Sequence, residues 1–127
     1  AAYCDYIQKF GTVTNHRQGL DKLADVSDQL QRIADDLQIP VIAGSQITLG
    51  ANGEKDKTKG GLVIEDDAAT LLKIKKYSDM ERAKLDEPYK STLGVTQFHL
   101  DKNRFGPSDV TRMMLWNDSR ATFGELG

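Results

Sequence analysis

One cysteine among 127 residues cannot close an intrachain disulfide, and no CxxC or Cys/His cluster surrounds it to suggest a structural metal. A reducing compartment is therefore the default, and Cys4 is expected to be a small buried residue. Long apolar runs are also lacking. The longest, Ile39-Pro40-Val41-Ile42-Ala43 and Met113-Met114-Leu115-Trp116, fall far short of the roughly 18 to 20 residues that a membrane-spanning helix needs. The N-terminal Ala-Ala-Tyr-Cys-Asp-Tyr-Ile-Gln has no basic stretch leading into an apolar core, so it does not read as a secretory signal. It lacks an initiator methionine and reads at once like a buried strand, from which the chain is expected to begin inside a larger protein. No Ser-His-Asp arrangement, zinc motif or Gly-x-x-x-x-Gly-Lys-Ser/Thr phosphate loop occurs. His16 and His99 have no partner spacing for metal binding or nucleophilic catalysis and read as structural or surface residues.

What is present fits one soluble domain of ordinary composition: 39% hydrophobic, 28% charged, net charge -2. The acidic balance, pI ≈ 5.6, argues against a nonspecific DNA-coating protein but leaves room for local basic loops.

Tyr3 to Gln8 is apolar or aromatic apart from Asp5 and reads as a buried strand with a polar tip. From about Asn15 to Leu37, apolar residues recur at Leu20, Leu23, Ala24, Leu30, Ile33, Ala34 and Leu37, the period of an amphipathic helix. Gln38-Ile39-Pro40 closes it, because a residue before proline is biased out of the helical region. Val41 to Gln46 is a second apolar strand. Strand, helix, strand with nearly continuous apolar strands predicts an α/β fold with a parallel sheet, which places ligands at the C-terminal strand ends. Those ends are Asp5-Tyr6 and Ser45-Gln46.

Thr48 to Gly61, rich in glycine and alternating charge, reads as a loop. Ala68 to Ile74 reads as a buried strand. Lys75 to Ser91 reads as a surface excursion with a helical turn around Met80 to Leu85. Leu93 to Asp101 and Asp109 to Trp116 form a hairpin with a basic tip, and Ala121-Thr122-Phe123 forms a last strand.

A carboxylate at a strand tip, as at Asp5, can hold magnesium through water beside a nucleotide; it can equally be a solvated acid. Gln46 carries a donor and an acceptor, which suits a γ-phosphate sensor or a locally satisfied amide. Lys102 and Arg104 lie two apart and can face one anionic target, or simply decorate a turn.

Taken in order, Asp5-Tyr6-Ile7-Gln8, the segment Leu37-Gln38-Ile39-Pro40-Val41-Ile42, Ser45-Gln46, Ile64-Glu65-Asp66-Asp67-Ala68 and Lys102-Asn103-Arg104-Phe105-Gly106-Pro107 resemble the C-terminal half of the RecA-like ATPase domain of DnaB-type replicative helicases. The resemblance covers most of the chain. It implies a partial P-loop NTPase core: a largely parallel sheet flanked by helices, with a C-terminal β-hairpin. It implies that residues 1–127 are the C-terminal portion of a domain that uses ATP and Mg2+ for 5′→3′ translocation on single-stranded DNA. Asp5 would be the Walker B aspartate acting on magnesium-bound ATP, Ser45 and Gln46 would border the nucleotide with Gln46 as γ-phosphate sensor, and Arg104 with Lys102 would reach as an arginine finger into the adjacent subunit of a homo-hexameric ring. Lys9 and Arg17, and Lys59 with Gly60 and Gly61, would flank or form DNA-facing loops. A primase and a helicase loader are the implied partners, and the cytoplasm of a bacterial or phage-infected cell the implied location.

The pattern is not complete. Ala69 stands where the family usually has an aspartate and Lys59 where it has an arginine, which points to a divergent viral or plasmid-borne member. Rival readings are a RecA-like ATPase for recombination or signalling, and a non-catalytic interaction module of the same fold. The resemblance predicts that the sequence preceding Ala1 carries the phosphate loop and the catalytic glutamate; reading it checks this directly, and its lack of Gly-x-x-x-x-Gly-Lys-Ser/Thr would favour the non-catalytic module.

Overall fold

The structure is a computed structural model that describes residues 1–10, 19–48, 57–58 and 62–125. The chain divides into two compact units, Ala1–Ala68 and Ala69–Gly127. In the first, β1 (Ala2–Cys4) and β2 (Val41–Ala43) pair in parallel with Ala2 opposite Val41 and Cys4 opposite Ala43. The helix α1 (Gly19–Leu37) lies between them in sequence. Both strands are shorter than Tyr3–Gln8 and Val41–Gln46. The chain leaves β1 at Asp5 and winds Ile7–Lys9 into a 3-10 turn. Ile7 is only 2% exposed and packs with Val26 and Ile64, flanked by Leu23 and Leu30. Burying such a side chain stabilises by about 1.5–3 kcal/mol, against about 0.5–1.5 kcal/mol for one further ladder hydrogen bond. The turn keeps its own bonds: Gly44 N–H donates to Cys4 O and Ile7 N–H to Gly44 O, both at 2.9 Å. Cys4 is half-buried rather than buried.

The packed stripe of α1 runs through Leu23, Val26, Ser27 and Leu30, so Val26 and Ser27 replace the expected Ile33 and Leu37, which are substantially exposed. Residues 15–18 lie outside the described residues. The helix ends where Gln38 adopts a left-handed φ of 52°, and Ile39 N–H donates back to Ala34 O at 3.2 Å. The Gln38 amide donates to Asp35 O at 2.7 Å, so two carbonyls of the last turn are satisfied before Pro40. The helix α2 (Leu62–Asp67) is a segment whose type the sequence pattern did not reveal; Gln31 Nε2 from α1 donates to its terminal Asp67 O at 2.7 Å. Part of the expected Thr48–Gly61 loop is instead a short ribbon, β3 (Ile47–Thr48) antiparallel to β4 (Lys57–Thr58). No helix among the described residues is long and apolar enough to cross a membrane.

The second unit corrects the expectation of a largely parallel sheet. It contains β5 (Thr70–Lys76), α3 (Asp79–Arg82), β6 (Val95–Asn103), β7 (Val110–Asn117) and β8 (Thr122–Glu125), and the four strands form an antiparallel sheet in the order β5-β6-β7-β8. The short turns at 104–109 and 118–121 can reverse the chain but cannot carry a parallel crossover of a dozen or more residues. The β5 strand is not buried on both faces as expected for Ala68–Ile74. It alternates, with Leu71, Lys73 and Lys75 half-buried and Leu72, Ile74 and Lys76 exposed. One sheet face gathers Ile74, Phe98, Trp116 and Phe123; the Phe98 and Phe123 rings meet edge-on at 4.8 Å. The other carries Lys73, Lys75, Gln97 and His99.

Within 75–91, α3 is shorter than Met80–Leu85 and starts with a capping box: Ser78 Oγ accepts from Glu81 N–H, and Glu81 accepts from Ser78 N–H at 3.0 Å. The Ser78 amide, then the Ser78 hydroxyl and Lys75, hold the Glu81 carboxyl at about 2. At the start of β6, Gly94 has φ +73° and lies so close to Trp116 that an added Cβ would sit 2.5 Å from the Trp116 carbonyl oxygen.

Gly94→Ala should therefore destabilise the protein by at least about 2 kcal/mol, from left-handed strain and a backbone clash; chemical denaturation measures it, and a loss under about 1 kcal/mol would contradict the close approach. Because the folded carboxyl of Glu81 is depressed from 4.5 to about 2, the capping box contributes fully above pH 4.5 and its contribution disappears as pH falls to 2. The stability difference between the wild type and Glu81→Gln should shrink over that acid window, and a difference independent of pH would refute it.

Candidate functional site

Parallel pairing puts the ends of β1 and β2 side by side, so Asp5 and the Ser45-Gln46 pair emerge at the same C-terminal edge. A Cβ built on Gly44 would lie 3.9 Å from Asp5 Oδ1 and 3.8 Å from Tyr6 Cβ, so the backbone at Gly44 adjoins the Asp5 carboxylate. Asp5 and Gln46 are exposed and Ser45 is half-buried. Ser45 and Gln46 are both partnered within the chain. Lys9 is exposed, with Nζ 4.6 Å from the Tyr6 ring centroid, a cation–π contact. Arg17, Lys59, Gly60 and Gly61 lie outside the described residues.

Lys102 and Arg104 belong to the second unit. Lys102 is a residue of β6 itself rather than of the turn, since the strand runs to Asn103 instead of stopping at Asp101. Arg104 follows immediately, its N–H donating to Ala69 O at 2.9 Å. Asn103 ties the turn from inside: its Oδ1 accepts from Phe105 N–H and its Nδ2 donates to Pro107 O, both at 3.2 Å. A Cβ at Gly106 would come within 3.1 Å of that same Nδ2, so a glycine there leaves room for the tie.

Sequence reasoning missed what lies beneath the turn. The β5–β6 register shifts so that Leu72 faces Leu100 and Leu71 faces Lys102, leaving Asp101 as the extra residue of a β-bulge. Asp101 Oδ2 lies 3.0 Å from Lys73 Nζ and its Oδ1 3.3 Å from His99 Nε2. His99 Nδ1 is 2.9 Å from Thr111 Oγ1, and Nε2 is 3.6 Å from Asp109 Oδ1. The Lys73 hydrogen bond, with further attraction to Lys73 and His99, holds the Asp101 carboxyl below its usual range. The one sequence sign was an acid where an alternating strand should hold its period.

A sequence profile decides the family. Residues 1–125 match that of the DnaB-like helicase C terminal domain. The chain belongs to that family. A relative described as "Probable plasmid replicative DNA helicase", from Chlamydia psittaci, is 29% identical over 114 residues, 84% of this chain and 23% of its own length. Two solved structures resemble the fold at a TM-score of 0.75, each over 98% of this chain. One is a DnaB-like replicative helicase, described with its interactions with primase, at 21% identity over 30% of its length. The other is the ATPase domain of G40P, at 20% identity over 44% of its length. The chain thus spans under half the length of each of these relatives. Within the DnaB-like fold, the antiparallel sheet of the second unit is the part that carries the Lys102–Pro107 hairpin.

Proposed function

We propose that the chain is the C-terminal portion of the RecA-like ATPase core of a replicative DNA helicase, in which ATP hydrolysis drives 5′→3′ movement on single-stranded DNA. The observation that carries this reading is the convergence of Asp5 with Ser45 and Gln46 at one strand edge in a chain that matches the DnaB-like family over residues 1–125. The reading also calls for a phosphate-binding loop of the Gly-x-x-x-x-Gly-Lys-Ser/Thr kind, a motif that residues 1–127 do not carry.

The residues fit Mg2+ and ATP in a specific way. Among the described residues no group of three or more His, Cys, Asp or Glu side chains could cage a metal. Asp5 offers one exposed carboxylate instead, and Gly44 puts only backbone beside it. That suits a hard cation that keeps most of its water and takes its remaining ligands from phosphate. When bound, Mg2+ neutralises charge on the β- and γ-phosphates. Asp5 would hold that ion through water, and Ser45 would border the same phosphates. The Gln46 amide can accept from an attacking water and donate to a γ-phosphate oxygen, which makes it a reporter of the nucleotide state.

Arg104 supplies a planar cationic fork, with Lys102 as a point charge, to the nucleotide of the adjacent subunit. A residue that serves a neighbour's site calls for a closed head-to-tail ring, here a homo-hexamer. Lys9, Arg17, Lys59, Gly60 and Gly61 track the DNA backbone without reading bases. Primase and a helicase loader complete the assembly, in the cytoplasm.

In the complete protein, Arg104→Ala should lower the steady-state ATPase kcat by roughly 10^3-fold or more while nucleotide binding persists. Turnover and equilibrium binding of a fluorescent ATP analogue measure the two separately. An equal loss of both would place Arg104 in its own subunit's site or in a structural role.

A further inference from the structure

Strict alternation along β6 would send Lys102 to the sheet face of Phe98 and Leu100, opposite Ile74 and Leu72, and would send Arg104 after it. The bulge reverses that phase. Lys102 stands opposite Leu71, which shares its face with Lys73 and Lys75, and directly opposed residues lie on one face. Asn103 then pairs with Thr70, and Arg104, the first residue of the turn, is bonded through its N–H to Ala69 O. Lys102 therefore stands on the Lys73 and His99 side of the sheet because one residue has been inserted before it, and Arg104 opens the turn two residues on.

That inserted residue is held from three strands. Lys73 on β5 grips one Asp101 oxygen, His99 on β6 the other, and Thr111 on β7 fixes the far nitrogen of the His99 ring. With the imidazole proton on Nε2, His99 donates to Asp101 and accepts from the Thr111 hydroxyl, so the neutral ring satisfies both contacts. The Lys73 and His99 side chains are 16% and 25% exposed and that of Asp101 35%, so the cluster is partly shielded rather than fully solvated. An extra strand residue is otherwise unpaired in the ladder, so its side-chain contacts can add to what holds the bulge at this position.

We propose that Asp101 is a positioning residue: pinned by Lys73 and His99 as the extra residue of the β6 bulge, it sets the phase in which the strand ends and so places Lys102, and the turn that opens at Arg104, for their action on nucleotide phosphates. The inference rests on the role proposed above for Arg104. Asp101 touches no substrate and works only through the residues that follow it.

The test uses ATPase kinetics of the complete protein carrying Asp101→Ala, Asp101→Asn, Arg104→Ala and the Asp101→Ala/Arg104→Ala pair. Asp101→Ala should lower kcat roughly 10- to 100-fold, the cost of a misplaced charge, with KM for ATP within about twofold. Asp101→Asn, which keeps an acceptor for one partner, should lose less. On the Arg104→Ala background, Asp101→Ala should change kcat by less than about twofold, since residues that act as one unit are not additive. An undiminished effect on that background would make Asp101 merely structural and overturn the proposal. So would wild-type kcat in both Asp101 variants while Arg104→Ala collapses; if Asp101→Ala does not fold, Asp101→Asn decides by the same comparison. Wild-type turnover in Arg104→Ala alone would instead remove the Arg104 reading itself, and the positioning role with it.

Discussion

Ile7 is buried against Val26 and Ile64, and to reach that core the backbone has to turn out of β1 directly after Asp5. Without the turn, Asp5 would sit in mid-strand between Tyr3 and Ile7 on the same side of the ribbon. With it, the carboxylate is left exposed at the strand end, beside the backbone of Gly44. The same turn gives the Ile7 amide its partner in the Gly44 carbonyl, so the tips of β1 and β2 are tied by backbone bonds beyond the last paired residues. A nondirectional force, removal of one aliphatic side chain from water, thus fixes the place of a polar group whose chemistry is directional.

Much of the first unit was legible in the sequence. The period of α1, its stop at Gln38-Ile39-Pro40 and the parallel relation of its flanking strands all follow from local signals. Strand length did not, because an apolar residue after a strand looks the same whether it continues the ladder or folds back into a core. Nor did the packed face of α1 follow fully. Ser27 sits in the buried stripe as a polar residue, while Leu37 and Ile33 face outward as apolar ones, an arrangement that only the neighbours of each position decide. The helix α2 was hidden for a related reason: at six residues it is too short to display a helical period.

In the second unit the hairpin, its basic turn and the last strand were readable, since Gly106-Pro107 and Asn117-Asp118 are turn-forming pairs between apolar runs. The direction of β5 was not. Its apolar content suggested burial on both faces, whereas Lys73, in the middle of the run, belongs to an alternating strand and finds its partner in Asp101. Of the candidate residues, Asp5, Ser45 and Gln46 could be placed at strand ends and Arg104 in a turn from the sequence. The Lys73, Asp101, His99 and Thr111 cluster could not, since its members come from three strands and meet only through the register.

That register has a consequence for how the hairpin can vary. A strand has two sides, and which side a residue takes depends on whether an odd or even number of positions separates it from a fixed point. The fixed points in β6 are His99, opposite both Lys73 and Thr111, and Asn103, opposite Thr70. A substitution between them leaves the number of positions unchanged. Loss or gain of a single residue there exchanges inside for outside for everything that follows, the basic pair included. The hairpin can change its length two residues at a time without changing its parity, but not one at a time.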